Sequence, residues 1–345
     1  MSEAAPREPS NEPLLVVRDL SVHFDTTDGV VKAVDGVSFE VARGQTLGVV
    51  GESGSGKSVT FMTVMGLINR KAARIDGQVL FKGKDILQMA PDQIRTIRGT
   101  GMSMIFQDPI SSLHPMYKVG AQIVEAIRAH QQVDKKWAWG RAVEMLARVG
   151  IPNPDERAKQ YPHEFSGGML QRAMIAMSLS LNPELLIADE PTTALDVTVQ
   201  AQILELLGQL RSEFGMSVVM ITHDLGVIAE HADTVQVMYA GKLVESGSRD
   251  DLYYGSHHPY TWGLLQSISR LDEEKERLQP IMGAPPSLIF VPKGCSFHPR
   301  CPYRFDVCDK ETPVLIEEEL GHMSACHLSL EDKKRIFDAE VAAKR

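Results

Sequence analysis

The stretch Gly51-Glu52-Ser53-Gly54-Ser55-Gly56-Lys57-Ser58 constrains this chain more than any other. It fits G-x-x-x-x-G-K-[ST], a loop that cradles phosphate. The flanks agree with that use. Before it runs Thr46-Leu47-Gly48-Val49-Val50, a short apolar strand, and residues 59–67 after it read as the first turns of a helix. Gly51, Gly54 and Gly56 let the backbone come close and aim N–H groups at phosphate oxygens. The helix N-terminus adds its dipole, Lys57 reaches the β- and γ-phosphates, and the Ser58 hydroxyl is placed to ligate Mg²⁺. A glycine-rich turn that matches by accident is the plainer alternative. The strand in front, the helix behind and the elements below argue against it.

Residues 1–13 are polar, with Pro6, Pro9 and Pro13, and read as a disordered lead without the apolar core of a signal peptide. From Leu14 the pattern Leu-Leu-Val-Val-Arg-Asp-Leu-Ser-Val-His-Phe is strand-like, with a turn around Asp28-Gly29. Val37-Ser38-Phe39-Glu40-Val41 alternates as a half-buried strand, so an antiparallel β layer is expected beside the loop. Phe24 sits on that layer, either in its core or stacked on an adenine. Residues 77–86 form a further strand and turn, and Met104-Ile105-Phe106 is an apolar run ending in Gln107. Residues 119–148 carry helical spacing, broken at Gly150-Ile151-Pro152-Asn153-Pro154.

Ser166-Gly167-Gly168-Met169 opens another helix, with Ser166 as N-cap. Leu185-Leu186-Ile187-Ala188 is an apolar strand ending in Asp189 and Glu190. A helix follows with Val199, Ile203, Leu206, Leu207, Leu210 and Phe214 on one face and Gly215 as its stop. Val218-Val219-Met220-Ile221-Thr222 delivers His223, and Val235 to Tyr239 turns at Ala240-Gly241. This alternation implies an α/β fold with a largely parallel sheet, whose ligands bind at the carboxyl ends of the strands. Lys57, Gln107, Asp189, Glu190 and His223 all follow apolar strand runs, which places five polar groups on one rim.

Those groups compose a phosphate chemistry. Asp189 organises Mg²⁺, Glu190 orients or polarises the attacking water, His223 contacts the γ-phosphate, and Gln107 completes the metal shell. Taken singly, each is also readable as a helix cap or a satisfied polar residue. In this order, after a phosphate loop, they read as a site. Lys57 and Asp189 are 189 − 57 = 132 positions apart, too far for one βα unit, so a helical segment over about 108–178 is inserted. Ser166-Gly167-Gly168 gives that segment a second anion-binding helix start without a second lysine. It makes sense if it faces the phosphate of another copy.

The formal net charge of −9 argues against nucleic acid as the main partner, and no apolar run approaches the roughly 18 residues of a membrane span. After Gly247 the composition changes. His257-His258-Pro259-Tyr260-Thr261 reads as a turn and helix start rather than a pair of ligands, followed near residue 271 by a charged run over 272–277. All four cysteines, Cys295, Cys301, Cys308 and Cys326, lie in this last part. Such a cluster in a reducing compartment points to metal rather than disulfides. The gaps are wider than the usual zinc spacing, and Cys301-Pro302 resembles some iron–sulfur ligand sets; cluster, zinc and inert thiols all stay open.

Together these motifs resemble an ATP-binding subunit of an ABC transporter, of the dipeptide/oligopeptide (and nickel) importer branch, over residues from about 14 to 330. The resemblance implies a P-loop NTPase with a RecA-like core, an antiparallel β layer, an inserted helical subdomain and a small C-terminal extension. Its domains would be 14–250 for nucleotide binding and 251–345 for the extension. It implies that Phe24, Gly51, Glu52, Ser53, Gly54, Ser55, Gly56, Lys57 and Ser58 hold ATP. Mg²⁺ falls to Ser58, Gln107 and Asp189, and catalysis to Glu190, His223 and Gln107. Ser166, Gly167, Gly168 and Asp196 would meet the nucleotide of a second ATPase subunit, identical or related. The signature here has Phe165 and Met169 at its ends, where Leu and Gln are commoner. The family also implies a [4Fe–4S] cluster on the four cysteines, two membrane permease subunits, indirect work with an extracytoplasmic peptide-binding protein, and a place on the cytoplasmic face of the membrane. The competing expectation is a soluble ABC-type ATPase acting on nucleic acid or ribosomes. Such proteins usually carry long coiled-coil insertions or two fused cassettes, and neither is visible here.

Overall fold

The computed structural model describes residues 12–193, 195–267 and 281–344. Most of the polar lead, and all of the charged run over 272–277, lie outside the described residues.

β1 (Leu15–Thr26) and β2 (Gly29–Val41) form the expected hairpin, turning at Thr27-Asp28. β3 (Thr46–Val50) then runs into the glycine loop and α1 (Lys57–Val64). The chain returns through β4 (Ala73–Phe81) and the short β5 (Lys84–Asp85), which complete an antiparallel sheet of order β2-β1-β4-β5. After α2 (Pro91–Ile97), β6 (Met102–Ile105) leads into the inserted helices: α3 (Pro109–Ser112), α4 (Val119–His130), α5 (Lys135–Arg148), α6 (Pro154–Arg157) and α7 (Gly167–Leu179). Core elements resume with β7 (Leu185–Asp189), α8 (Val197–Phe214), β8 (Ser217–Thr222), α9 (Leu225–His231), β9 (Thr234–Tyr239) and β10 (Lys242–Ser248). The extension supplies α10 (Arg249–Gly255), α11 (Pro259–Gln266), β11 (Ile316–Glu319), β12 (His322–Ser324) and α12 (Leu330–Ile336).

Local chemistry explains most boundaries. The stretch 119–148, expected as one helical span, is two helices. α4 stops at His130, and Asp134 caps α5 by accepting the Trp137 N–H at 2.7 Å. Ser166 caps α7 through the Met169 N–H, and Asp196 caps α8 through the Val199 N–H at 3.0 Å. Gly215 ends α8 at φ 61°, the left-handed conformation that glycine adopts without a Cβ clash.

The central sheet has order β11-β12-β10-β9-β3-β8-β7-β6, parallel from β9 to β6 and antiparallel from β9 outward. Both faces of its parallel part are covered, so alternate residues enter different cores. Leu186, Ala188 and Val218 join the inserted helices and α8 in one cluster. Leu185, Ile187, Val219 and Ile221 join α1 and the antiparallel layer in another. A third cluster unites Val50, Met220 and Val237 with Tyr260, Trp262, Phe297 and Phe337 of the extension. The extension therefore shares the central core, and β12 pairs directly with β10 at Glu245–Ser324 and Ser246–Met323.

Candidate active site

The loop after β3 is shaped by its backbone. A Cβ on Gly51, at φ 158°, would come within 2.2 Å of the Met238 carbonyl oxygen, and one on Gly56, at φ 100°, within 2.2 Å of the Ala33 carbonyl oxygen. Only glycine fits where the loop is wedged between β2 and β9. Lys57 is 5% exposed and donates to the Gly51 carbonyl at 2.6 Å and the Glu52 carbonyl at 3.0 Å. Burial pushes its ammonium pKa down, against the pull of Glu190, Asp189 and Glu52. An anion above the loop would relieve that desolvation.

The strand ends deliver the remaining groups. Asp189 closes β7, nearly buried, and accepts the Ser58 hydroxyl at 3.0 Å. Burial raises its pKa, with the neighbouring Glu190 adding and the Ser58 bond and Lys57 opposing. A hydroxyl and a carboxylate this close form a hard-oxygen pair suited to Mg²⁺. Glu190 follows at φ 46°, an uncommon left-handed conformation for a side-chain-bearing residue, held by its N–H to the Ile221 carbonyl at 2.9 Å. Its carboxylate gathers three partners, two from the ends of β6 and β8 and one from its own loop after β7. Gln107 Nε2 donates at 3.0 Å, Thr193 Oγ1 at 2.8 Å, and His223 Nδ1 lies 3.4 Å away.

A cleft of about 850 Å³ joins these groups. It is bordered by residues 52–59, Gln107, Glu190 and His223, with Phe24 at one wall and Leu264, Ile281 and Leu288 of the extension at another. Phe24 also packs partly against the core of the antiparallel layer, so its ring belongs to both surroundings. The structure thus brings Lys57, Ser58, Gln107, Asp189, Glu190 and His223 together, as their positions after apolar strands imply. Ser166, Gly167 and Gly168 do not border this cleft among the described residues. They open α7 on a separate exposed face, where a Cβ on Gly168 would meet Val199 Cγ1 at 3.0 Å and one on Gly167 would meet Leu195 Cδ2 at 3.9 Å, beside exposed Asp196.

Three contacts escape a reading of motifs. Thr193 holds Glu190. Tyr260 Oη accepts the Glu52 N–H at 2.8 Å. Arg300 clamps the Glu52 carboxylate with two donors at 2.6 and 2.9 Å, although the residues are 248 positions apart. Its own pKa rises because of that pair. Arg300 adjoins Cys301, so the extension grips the phosphate loop from beside the cysteines. All four cysteines are free thiols and border one small cavity, walled by Pro259, Phe297, Tyr303 and Leu328. Burial pushes the Cys301 thiol up to about 12 and the Cys326 thiol up to about 11.

Comparison with known proteins places this chain in a family. The ABC transporter family model matches residues 34–193, and the model of the oligopeptide/dipeptide transporter C-terminal region matches residues 244–308. The dipeptide transport ATP-binding protein DppD of Bacillus subtilis is 51% identical over 318 residues, 92% of this chain and 95% of its own length. The oligopeptide transport ATP-binding protein OppD of Escherichia coli is 49% identical over 321 residues, 93% and 95% of the two chains. Among solved structures, CbiO1 of Clostridium perfringens, described as part of an ABC transporter complex, superposes with a TM-score of 0.61 at 26% identity over 71% of this chain and 92% of that one. The ATP-binding cassette MJ0796, solved as a dimer bound to ADP and phosphate, also gives 0.61, at 24% identity over 68% and 98%.

Proposed function

The chain belongs to the ABC transporter ATP-binding proteins, in the group with the oligopeptide/dipeptide C-terminal region, and we propose that it hydrolyses ATP to power import of dipeptides and oligopeptides through a membrane permease. The observation that carries this reading is the convergence of Gln107, Thr193 and His223 on Glu190, across the cleft from the phosphate loop. In this reading Phe24 stacks on the adenine, and the N–H groups of residues 51–58 with Lys57 hold the phosphates. Ser58, Asp189 and Gln107 would hold Mg²⁺, which supplies charge neutralisation at the β- and γ-oxygens. Glu190 orients a water in line with the γ-phosphorus. His223 and Gln107 keep that carboxylate from turning away, and His223 meets the γ-phosphate once it is present.

Hydrolysis by this route needs two copies. Ser166, Gly167, Gly168 and Asp196 stand on an exposed face away from their own cleft, which suits contact with nucleotide held by a second ATPase subunit. The partners proposed beyond that are two permease subunits, at the cytoplasmic face of the membrane, with an extracytoplasmic binding protein supplying the cargo. Exposed Ile110 on α3 and Met116 and Tyr117 in the loop that leads to α4, just after Gln107, give a permease an apolar surface beside a γ-phosphate-sensing residue. No helix among the described residues is long and apolar enough to cross a membrane. The domain division follows: 14–250 binds nucleotide, with 108–178 as its helical part, and 251–345 is the extension.

The four cysteines are assigned a [4Fe–4S] cluster, with zinc as the competing occupant. The support is their shared apolar-walled cavity. Cys295, Cys301, Cys308 and Cys326 would hold it, and it would serve as a cross-link within the extension. Iron and sulfide analysis of protein purified without oxygen decides this, zinc in place of both overturning it.

The transport reading is tested by purifying the tagged chain from native membranes in mild detergent. Two multi-spanning permeases, with or without another ATPase, are expected to accompany it. Ribosomal or DNA-repair partners without any membrane protein would overturn it in favour of a soluble ATPase.

A further inference from the structure

Away from the nucleotide cleft, the extension holds a dense group of buried titratable side chains. His257, just before α11, and His322, opening β12, stack with ring centroids 3.9 Å apart and planes 15° apart. They are 1% and 2% exposed. Around them stand Glu245 of β10, Glu318 and Glu319 of β11, and Lys333 of α12.

The hydrogen bonding around His257 is incomplete. His322 Nε2 lies 2.9 Å from Glu245 Oε1, and a neutral ring that donates there keeps its lone pair on Nδ1. His257 faces a carboxylate from each ring nitrogen: Nδ1 is 3.2 Å from Glu318 Oε2, and Nε2 is 3.2 Å from Glu319 Oε2. Neither nitrogen, nor Glu318 Oε2, completes a hydrogen bond. A neutral imidazole has one proton, so one lone pair on this ring points at a carboxylate oxygen. The neighbouring cations are committed elsewhere. Lys333 Nζ donates to Glu318 Oε1 at 2.6 Å, and Lys334 Nζ to Glu319 Oε1 at 2.6 Å.

We propose that His257, His322 and Glu319 bind a divalent transition metal of the zinc class. One ligand atom from each lies within 4.8 Å of the others, close enough to gather on one ion after small side-chain shifts. Two imidazoles and a carboxylate form a zinc-type donor set with a fourth position for water. Nitrogen donors disfavour Ca²⁺ and Mg²⁺, which take oxygen. Glu245 behind His322 and Lys334 behind Glu319 are the outer partners that orient such ligands. The Glu319 side chain is 44% exposed, which leaves the ion an entrance. The site shares no residue with the cysteine cavity. It staples the β11–β12 hairpin to the turn that starts α11, 322 − 257 = 65 positions away, on the flank of the wall that holds Tyr260 against the phosphate loop.

Co²⁺ is the probe, because its spectrum reports the ligands. Titrated into the full chain with its cysteine site in the purified state, Co²⁺ is expected to give visible d–d bands without the intense near-ultraviolet band of thiolate-to-cobalt charge transfer. Glu319→Gln, at an exposed position that threatens no core, is expected to weaken that binding at least about tenfold, as loss of a carboxylate near a metal does. His322→Ala should abolish it, with circular dichroism checking that the variant folds. Unchanged Co²⁺ affinity in Glu319→Gln, or a spectrum carrying thiolate bands alone, overturns the proposal.

Discussion

The nucleotide cleft and the polar cluster of the extension use the same residue types to opposite ends. In the cleft, His223 is 57% and Glu190 13% exposed, and the pair borders an open space that a phosphate or a water can enter. In the extension, His257 is 1% exposed between two carboxylates, and Glu245 and Lys333 are wholly buried and hydrogen-bonded to His322 and Glu318. Hydration separates the two roles. A group that must meet a substrate keeps access to solvent, whereas a group that fixes one segment on another is desolvated and loses stability when its partner goes.

The largest expected effect tests the cleft side of that contrast. Glu190→Gln keeps the size and the Thr193 contact but removes the charge that orients water. ATP turnover should fall about 10²–10⁴-fold, as for loss of a general base, while ATP binding and Tm hold. Turnover measured beside equilibrium nucleotide binding checks it, and retained turnover would remove Glu190 from its role.

The extension should answer in the opposite currency. Lys333→Met leaves Glu318 charged, buried and without its 2.6 Å partner, which costs about 3–5 kcal/mol of stability. Chemical denaturation should record that loss, with turnover per folded molecule close to normal. A collapse of turnover at unchanged stability would erase the distinction between the two regions.

Between them lies the contact that joins them. Arg300→Ala removes two charge-assisted hydrogen bonds from Glu52, worth about 1.5–3 kcal/mol each, and leaves the phosphate loop with the Tyr260 hydrogen bond from this side among the described residues. The expected result is a raised KM for ATP with a smaller change in kcat. An unchanged KM would mean that the extension merely abuts the loop.

How much of this is legible in sequence follows from distance along the chain. The phosphate loop is written in eight consecutive residues, and the cap at Ser166 and the stop at Gly215 within about four, because backbone conformation at those caps depends on local atoms. Lys57, Gln107, Asp189, Glu190 and His223 are far apart but share one local signature, a polar residue after an apolar strand, and a parallel sheet brings such ends to one rim. Arg300 and Glu52 have no such signature. Neither does the pairing of β12 with β10, nor the stacking of His257 on His322. His258 does what the sequence suggests, capping α11 through Nδ1 to the Tyr260 N–H at 3.1 Å. Its neighbour His257 joins a cluster assembled from four other elements, β10, β11, β12 and α12, which no local pattern encodes.

Phe24 gives the smallest effect and the sharpest boundary between the two kinds of role, since its ring both lines the cleft and packs on the antiparallel core. Phe24→Leu keeps most of the apolar packing volume and removes the aromatic face. If the ring stacks on adenine, ATP affinity should drop by about 0.5–1.5 kcal/mol, roughly two- to twelvefold, with Tm nearly unmoved. If the ring is a core residue first, the same substitution should lower Tm while leaving ATP affinity alone, and the cleft would end at the phosphate loop. Isothermal titration and a thermal melt on one preparation separate these outcomes, because stacking acts only when nucleotide is bound and core packing acts whether it is bound or not.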